Sequence, residues 1–354
     1  MTQGFKIQEK ATIRREECDI AQRTLGCWLN PAGKMTHKDP NVQTEYTIRL
    51  GQAQSWATAI LNSNLNRKET YMAYHGVLQA KIGYALAVTT FTEPQLRRIQ
   101  RTADVAYRPK LGLNRNFPNA VVQGPTQYCG LAQPPLYTIQ GSKQLQLLIG
   151  TIRNQDDTGD LARASLELEQ QESGYITPIL HADTSTEYQR WSPNTWISSI
   201  KQFLSTMKGT VQIFDQWCPT AQRQYDKSLM FAFQHKYGKQ KKKLAQLNRC
   251  RIWLQVTTLS DVTASNGTSL CPYALRGEKH PHRRSNYKWR GQNDMNKKAW
   301  KTWSAALKTT FTSNGLQLHT PLGEWCDTIQ SQMWPTYKDT EDTLYMAPTQ
   351  IGAT

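Results

Sequence analysis

No stretch of the 354 residues approaches the roughly 18 consecutive apolar side chains that a membrane-spanning helix needs, so no membrane partner is expected. The opening MTQGFKIQEKATIRREE has no apolar core of the kind a secretory leader carries. Cysteine is sparse and odd in number. Seven are scattered without a CxxC pair, which predicts reduced thiols and an intracellular chain, nuclear or cytoplasmic, over a disulfide framework. A phosphate loop of the GxxxxGK[ST] type is missing, as are HExxH and GxSxG. Those absences exclude the commonest nucleotide-hydrolysing, zinc-peptidase and serine-hydrolase chemistries in their motif-bearing forms.

Acidic side chains are also short in supply. Twenty-seven Asp and Glu face 43 Lys and Arg, a net charge of +16, with an isoelectric point near 9.5. Such an excess is the footprint of a polyanion partner. It is uneven: residues 1–150 hold 18 basic and 9 acidic groups, residues 151–220 hold 5 and 9, and residues 221–354 hold 20 and 9. Hydrophobic content is low at 38%, but eleven Trp and fifteen Tyr supply bulky core material. The length allows about two domains.

Early in the chain, Thr24-Leu25-Gly26-Cys27-Trp28-Leu29 reads as a short apolar strand, closed by a turn at Asn30-Pro31-Ala32-Gly33. With so few residues before it, this strand looks for a sheet to join, and a bare edge there would be an aggregation hazard. Beyond it the periodicity is helical. Tyr46, Leu50, Ala53, Trp56 and Ile60 mark a first helix. A second starts at Asn66 as N-cap and carries Tyr71, Tyr74, Leu78, Ile82 and Ala85. Thr92-Glu93-Pro94-Gln95 is a capping box with Pro in the first turn of a third, whose apolar face is Leu96, Ile99 and Ala103.

Residues 108–125 are rich in Pro, Gly and Asn and predict mostly loop. Helices follow over about 142–152 and 159–172, the latter capped by Thr158. Ser192-Pro193 opens another, with Trp196, Ile200, Phe203 and Met207 inward and Gly209 at its stop. Residues 221–237 align Tyr225, Leu229 and Phe233. A basic helix runs through Leu244, Leu247 and Arg251, and the stretch after it leaves helix and strand open. The last helix, about 294–312, lines up Trp300, Trp303, Leu307 and Phe311. Asn266-Gly267-Thr268 is a turn. The fold class is mainly α.

The search for an active site returns little. Asp156-Asp157 lies in a polar loop between two helices, and Asp favours the position that leads a helix, so these residues predict a cap and not a metal pair. Cys271, His280 and His282 match no common zinc spacing and are expected to sit in a plain basic loop. The positive evidence is for binding polyanions. One cluster is Arg97, Arg98, Arg101, Arg108, Lys110 and Arg115, and a second is Lys239, Lys241, Lys242, Lys243, Arg249 and Arg251. In a third, Arg283, Arg284, Lys288 and Arg290 are interleaved with Tyr287 and Trp289. Basic groups displace counterions from phosphates, and an exposed aromatic stacks on an unpaired base. Each cluster could equally be a solvated basic face.

RTLGCWLNPAGKM (23–35) resembles the TLGV-x-L-x-P-x-G segment of reverse transcriptases of the non-LTR retrotransposon type. FTEPQLRRIQRTADVAYRPKLGLNRNFP (91–118) is similar to that family's L-x-x-IQ helix and its basic exit. VVQGPTQYCGLAQPPLYTIQG (121–141) is similar to its GPxxYGGLGIPxLYxxQ segment, departing at Cys129 and at Ala132-Gln133. LNRCRIWLQVTTLSDV (247–262) and TPLGEWCDTIQSQMWPTY (320–337) resemble later signatures of a subgroup of these open reading frames. The resemblance implies that the strand ends a catalytic palm and that a helical thumb follows. It divides the chain into a residual palm-edge strand or hairpin (1–40), a thumb-like helical domain (41–150), an acidic helical connector (151–220) and a basic helical C-terminal domain (221–354).

The palm's paired aspartates and its YxDD-like turn have no counterpart here, so no catalytic residue carries over, and Mg would belong to the palm. What carries over is the grip on a template–primer duplex, with Arg97, Arg98 and Arg101 matched by position. The leading expectation is therefore a reverse-transcriptase fragment that holds RNA or RNA–DNA duplex mainly by its backbone. Two alternatives stand beside it. The chain could be the downstream half of an active RNA-directed DNA polymerase whose palm is encoded upstream, or a helical interaction protein with an acidic protein partner.

Overall fold

A computed structural model describes residues 5–8, 11–13, 20–30, 33–114, 116–154, 156–181, 183–214, 216–278, 295–326, 333–337 and 344–348. The chain divides into two compact units, Met1–Arg153 and Asn154–Thr354. It is mainly α, with short two-stranded pairings.

The first unit begins with the hairpins β1 (Phe5–Gln8) with β2 (Ala11–Ile13) and β3 (Gln22–Thr24) with β4 (Cys27–Leu29). Its helices are α1 (Glu45–Leu61), α2 (Arg67–Ala73), α3 (Ala80–Ala85), α4 (Glu93–Lys110), α5 (Asn119–Gln123) and α6 (Leu136–Arg153). A π-helical segment, Tyr74–Gln79, joins α2 to α3. Local capping sets the starts. Asn66 Oδ1 accepts from the Glu69 N–H at 3.0 Å and Glu69 reaches back to the Asn66 N–H at 2.9 Å. Gln95 Oε1 accepts from the Thr92 N–H at 2.8 Å. The core gathers Ala53, Tyr74, Leu78, Ile82, Leu86, Phe91, Leu96, Ile99, Ala103, Tyr107 and Leu136, and Tyr74 stacks on Tyr107 with ring centroids 4.3 Å apart. Two buried glutamines one turn apart on α6 tie the turn before α4: Gln140 Nε2 donates to Phe91 O at 2.9 Å and Gln144 Nε2 to Thr89 O at 2.6 Å.

The second unit holds α7 (Asp157–Ser173), α8 (Trp196–Met207), α9 (Leu229–Tyr237), α10 (Lys241–Leu254), α11 (Pro272–Arg276) and α12 (Lys297–Phe311), with β5 (Met333–Tyr337) paired to β6 (Leu344–Pro348). One core takes Tyr175, Tyr188 and Trp191 from the acidic stretch together with Leu229, Phe233, Leu244, Leu247, Trp303, Leu307 and Phe311 from the basic one. The change of charge near residue 220 is thus no boundary of packing.

Several expectations are corrected. Thr24–Leu29 is not one strand. The chain reverses at Leu25 and Gly26, with φ of 47° and 85°, and Thr24 pairs with Cys27. The strand therefore finds its partner in the residues just before it, and Glu45 of α1 accepts from the Trp28 N–H at 2.7 Å to seat the hairpin. The turn after it is present, with Gly33 N–H donating to Asn30 O at 2.8 Å. Residues 108–125 are less loop-like than their composition implies: α4 runs through Pro109, its last turn held by the Arg108–Asp104 ion pair at 3.0 Å and by buried Tyr107.

Helix α6 starts at Leu136 because Gln100 Oε1 accepts its N–H at 3.1 Å. Asp156, not Thr158, caps α7, accepting from the Gly159 N–H at 2.8 Å. Met207 is exposed, and Ile197 and Leu204 fill the α8 face instead. Tyr225 lies outside a helix at φ 66°, because the chain around it pairs elsewhere: Leu229 N–H donates to Thr257 O and Leu259 N–H to Lys227 O.

Candidate nucleic-acid interface

Helix α4 buries Leu96, Ile99, Ala103, Ala106 and Tyr107, so positions 97, 98 and 101 emerge on the side away from the core. All three arginines are exposed, and they line one open face with Pro94, Thr102 and Val105. Arg97 pairs with Glu93 one turn earlier, an exposed contact worth about 0.2–1 kcal/mol. Arg98 and Arg101 have no acidic partner among the described residues. Their charge is available to a ligand.

Arg108 and Lys110 of this cluster are engaged within the fold, which corrects their placement on a free surface. Arg108 Nη2 sits 3.0 Å from Asp104 and donates to Asn119 Oδ1 at 2.8 Å, joining α4 to α5. Asp104 is held above the usual carboxylate range by burial, against the pull of Gln133 and Arg108. Lys110 Nζ donates to Ser63 O at 2.5 Å and fastens the end of α4 to the exit of α1. Arg115 lies outside the described residues.

In the second unit Lys239, Lys241, Lys242 and Arg249 are exposed. Lys243 lies over the Tyr237 ring, its Nζ 3.6 Å from the centroid. Arg251 is a correction. It is wholly buried, in phase with Leu244, Leu247 and Leu254, and donates to Asn248 Oδ1 at 2.8 Å, Val256 O at 3.3 Å and the Gln171 carbonyl. Burial lowers its pKa to about 10, so it stays charged near neutrality as an internal tie. Arg283, Arg284, Tyr287, Lys288, Trp289 and Arg290 lie outside the described residues, as do His280 and His282. Cys271 is buried at the N-cap of α11, and no group of three metal-ligating side chains gathers among the described residues.

Residues that the sequence reading passed over stand out here. Helix α12 exposes Lys297, Lys298, Lys301 and Lys308 and has no acidic side chain, and α10 has none either. The two helices run antiparallel. Tyr237, beneath Lys243, meets Thr309 at 2.7 Å at one end, and Trp253 packs edge-on against Trp300 at 5.1 Å at the other. Lys297, Lys301 and Lys308 recur at i, i+4 and i+11, the spacing of one helical face, and that signal was in the sequence.

No protein-family model matches the chain, and neither a curated protein nor a solved structure matches it. No helix among the described residues is long and apolar enough to cross a membrane.

Proposed function

We propose that this chain is the thumb and downstream part of a retroelement reverse transcriptase, nuclear or cytoplasmic, that grips RNA or RNA–DNA duplex through its backbone, while polymerase chemistry and its Mg belong to a palm. One observation carries the binding part. Arg98 and Arg101 stand exposed without acidic partners on α4, whereas the helix's own acids, Glu93 and Asp104, are taken by Arg97 and Arg108. Rigid backbone presents these charges, and phosphate contacts of this kind position a duplex without reading its sequence.

The family part draws support from segment 121–133. The pattern it resembles has glycine where this chain has Cys129 and Ala132, and both residues adopt the left-handed backbone that glycine prefers, at φ 61° and 48°. Both departures thus fall where the backbone is the one glycine adopts most readily.

The test is fluorescence anisotropy with labelled RNA duplex and RNA–DNA hybrid between about 50 and 200 mM salt. Affinity should fall steeply with salt. R98A/R101A should weaken all sequences alike and flatten the log–log slope by about 1.8, with the unfolding midpoint unchanged. R108A should lower the midpoint instead. Absent or salt-insensitive binding by the wild-type chain would sink the reading.

A further inference from the structure

Between α11 and α12 lies an open groove of about 370 Å³, lined by Leu275, Trp300, Lys301, Ser304, Ala305 and Lys308. Its walls are fixed by the fold. Trp303, buried beneath it, donates its indole N–H to Ala274 O at 2.9 Å and pins α11 to α12. Gly277, at φ 73°, lets the backbone lie so close to Trp300 that a Cβ there would fall 2.2 Å from the indole Cδ2. With Trp253 against it as well, Trp300 has little rotational freedom. The floor is apolar, from Leu275, Trp300 and Ala305. Both flanking charges are lysines, and neither has an acidic partner among the described residues. Glu278, three residues after Leu275, is taken by Arg276 at 2.9 Å.

We infer that this groove seats one unpaired nucleotide of a single-stranded nucleic acid, its base against the Trp300 floor and its flanking phosphates on Lys301 and Lys308. The inference rests on the nucleic-acid reading above and gives it a second site of different specificity. The two lysines stand seven residues apart on one helix, about 10 Å along its axis, with Trp300 next to Lys301 at the N-terminal end and Ala305 between them. An aromatic surface at one end of a row of two cations suits a base with its phosphates and offers little to a duplex, whose bases are already stacked. The α4 face is the reverse case, arginines without an aromatic floor.

The full-length chain is tested with a labelled twelve-residue oligothymidylate and with a hairpin duplex. K301A/K308A should weaken oligothymidylate binding at least tenfold and flatten its salt slope by about 1.4, leaving duplex affinity within twofold. R98A/R101A should do the opposite. A 5-iodouridine oligomer irradiated on the wild-type chain should crosslink to the tryptic peptide carrying Trp300, a readout that needs no variant to fold. Unchanged oligothymidylate binding in K301A/K308A, or a crosslink elsewhere, overturns the inference. So does a polyglutamate peptide that needs Lys301 and Lys308 when oligothymidylate does not, since the groove would then serve an acidic protein. If the wild type holds duplex but not single strand, this site falls and the duplex grip stands. If it holds neither, both fall.

Discussion

Arg251 and Asn248 lock to each other across one turn of α10: the guanidinium Nε donates to Asn248 Oδ1 at 2.8 Å, and Asn248 Nδ2 donates onward to the Glu172 carbonyl at 3.0 Å. Together they tie α10 to the end of α7, where Arg251 also reaches the Gln171 carbonyl. Removing the guanidinium would strand several buried carbonyls at once. R251M is expected to destabilise the Asn154–Thr354 unit by about 3–5 kcal/mol, the range for breaking a buried charged network. R251K should not rescue it, because an ammonium cannot serve three directions in one plane. K241A/K242A, on the exposed side of the same helix, should leave stability within about 0.5 kcal/mol. Urea titrations of the three variants check the contrast.

Glu169 supplies a pH dependence. It is buried on α7, accepts from Thr195 Oγ1 at 2.7 Å, and has its pKa raised to about 7. Burial is the main cause and the Glu172 charge adds to it, while the hydrogen bond from Thr195 opposes it. In the unfolded chain this carboxyl loses its proton near 4.5. Below that pH both states are protonated and the group contributes nothing. Between 4.5 and 7 the folded state holds a proton that the unfolded state has released, so stability falls as pH rises, and the loss levels off above 7. E169Q keeps an acceptor for Thr195 and removes the titration. It should match the wild type at pH 4 and exceed it at pH 8, by at most about 3 kcal/mol. Denaturant midpoints at pH 4, 6 and 8 decide it, and a difference that does not grow with pH would refute the assignment.

At Gly277 the contact with Trp300 leaves no room for a methyl group, and the backbone is left-handed as well. G277A therefore combines a steric clash with αL strain, each of which costs about 1–3 kcal/mol. The expected outcome is a lowered midpoint for the Asn154–Thr354 unit, with altered near-ultraviolet circular dichroism from the displaced indole. An unchanged midpoint would mean that α11 does not approach Trp300 this closely.

What the sequence made legible was mostly local. The Asn66 and Thr92 caps, and the faces Tyr74–Leu78–Ile82 and Trp303–Leu307–Phe311, depend on spacing within a few residues, and they appear where that spacing puts them. Failures came where distant strands of chain decide. Residues 222–228 look helical by periodicity, but Leu229 and Lys227 pair with Thr257 and Leu259, some thirty residues on. Arg251 is instructive because its position one helical repeat after Leu244 and Leu247 pointed inward all along. Its charge suggested solvent, and only the carbonyls of α7 explain why the interior accepts it. The lysine face of α12 was legible by spacing, yet its groove needed α11 alongside, which no local pattern announces.

The loop at 121–133 permits a stability test of its own. Gly130 is packed so tightly that a Cβ would lie 2.0 Å from the Gly124 carbonyl oxygen, and backbone bonds from Gly130 to Pro125 O and from Ala132 to Gly124 O close the segment on itself. Within this frame Cys129 and Ala132 are held left-handed, where a Cβ costs about 1–2 kcal/mol. Glycine relieves that strain and gives back part of the gain as unfolded-chain entropy, so C129G and A132G should each raise the stability of the Met1–Arg153 unit by about 0.5–1 kcal/mol. The exposed Cys129 loses little packing, and half-buried Ala132 gives up only a methyl. The double variant need not be additive, since both residues belong to one loop. G130A should be strongly destabilising. Thermal unfolding of the four chains checks the series. If C129G proves neutral or harmful, the loop does not hold residue 129 left-handed, and the glycine correspondence that supports the family reading loses its physical basis.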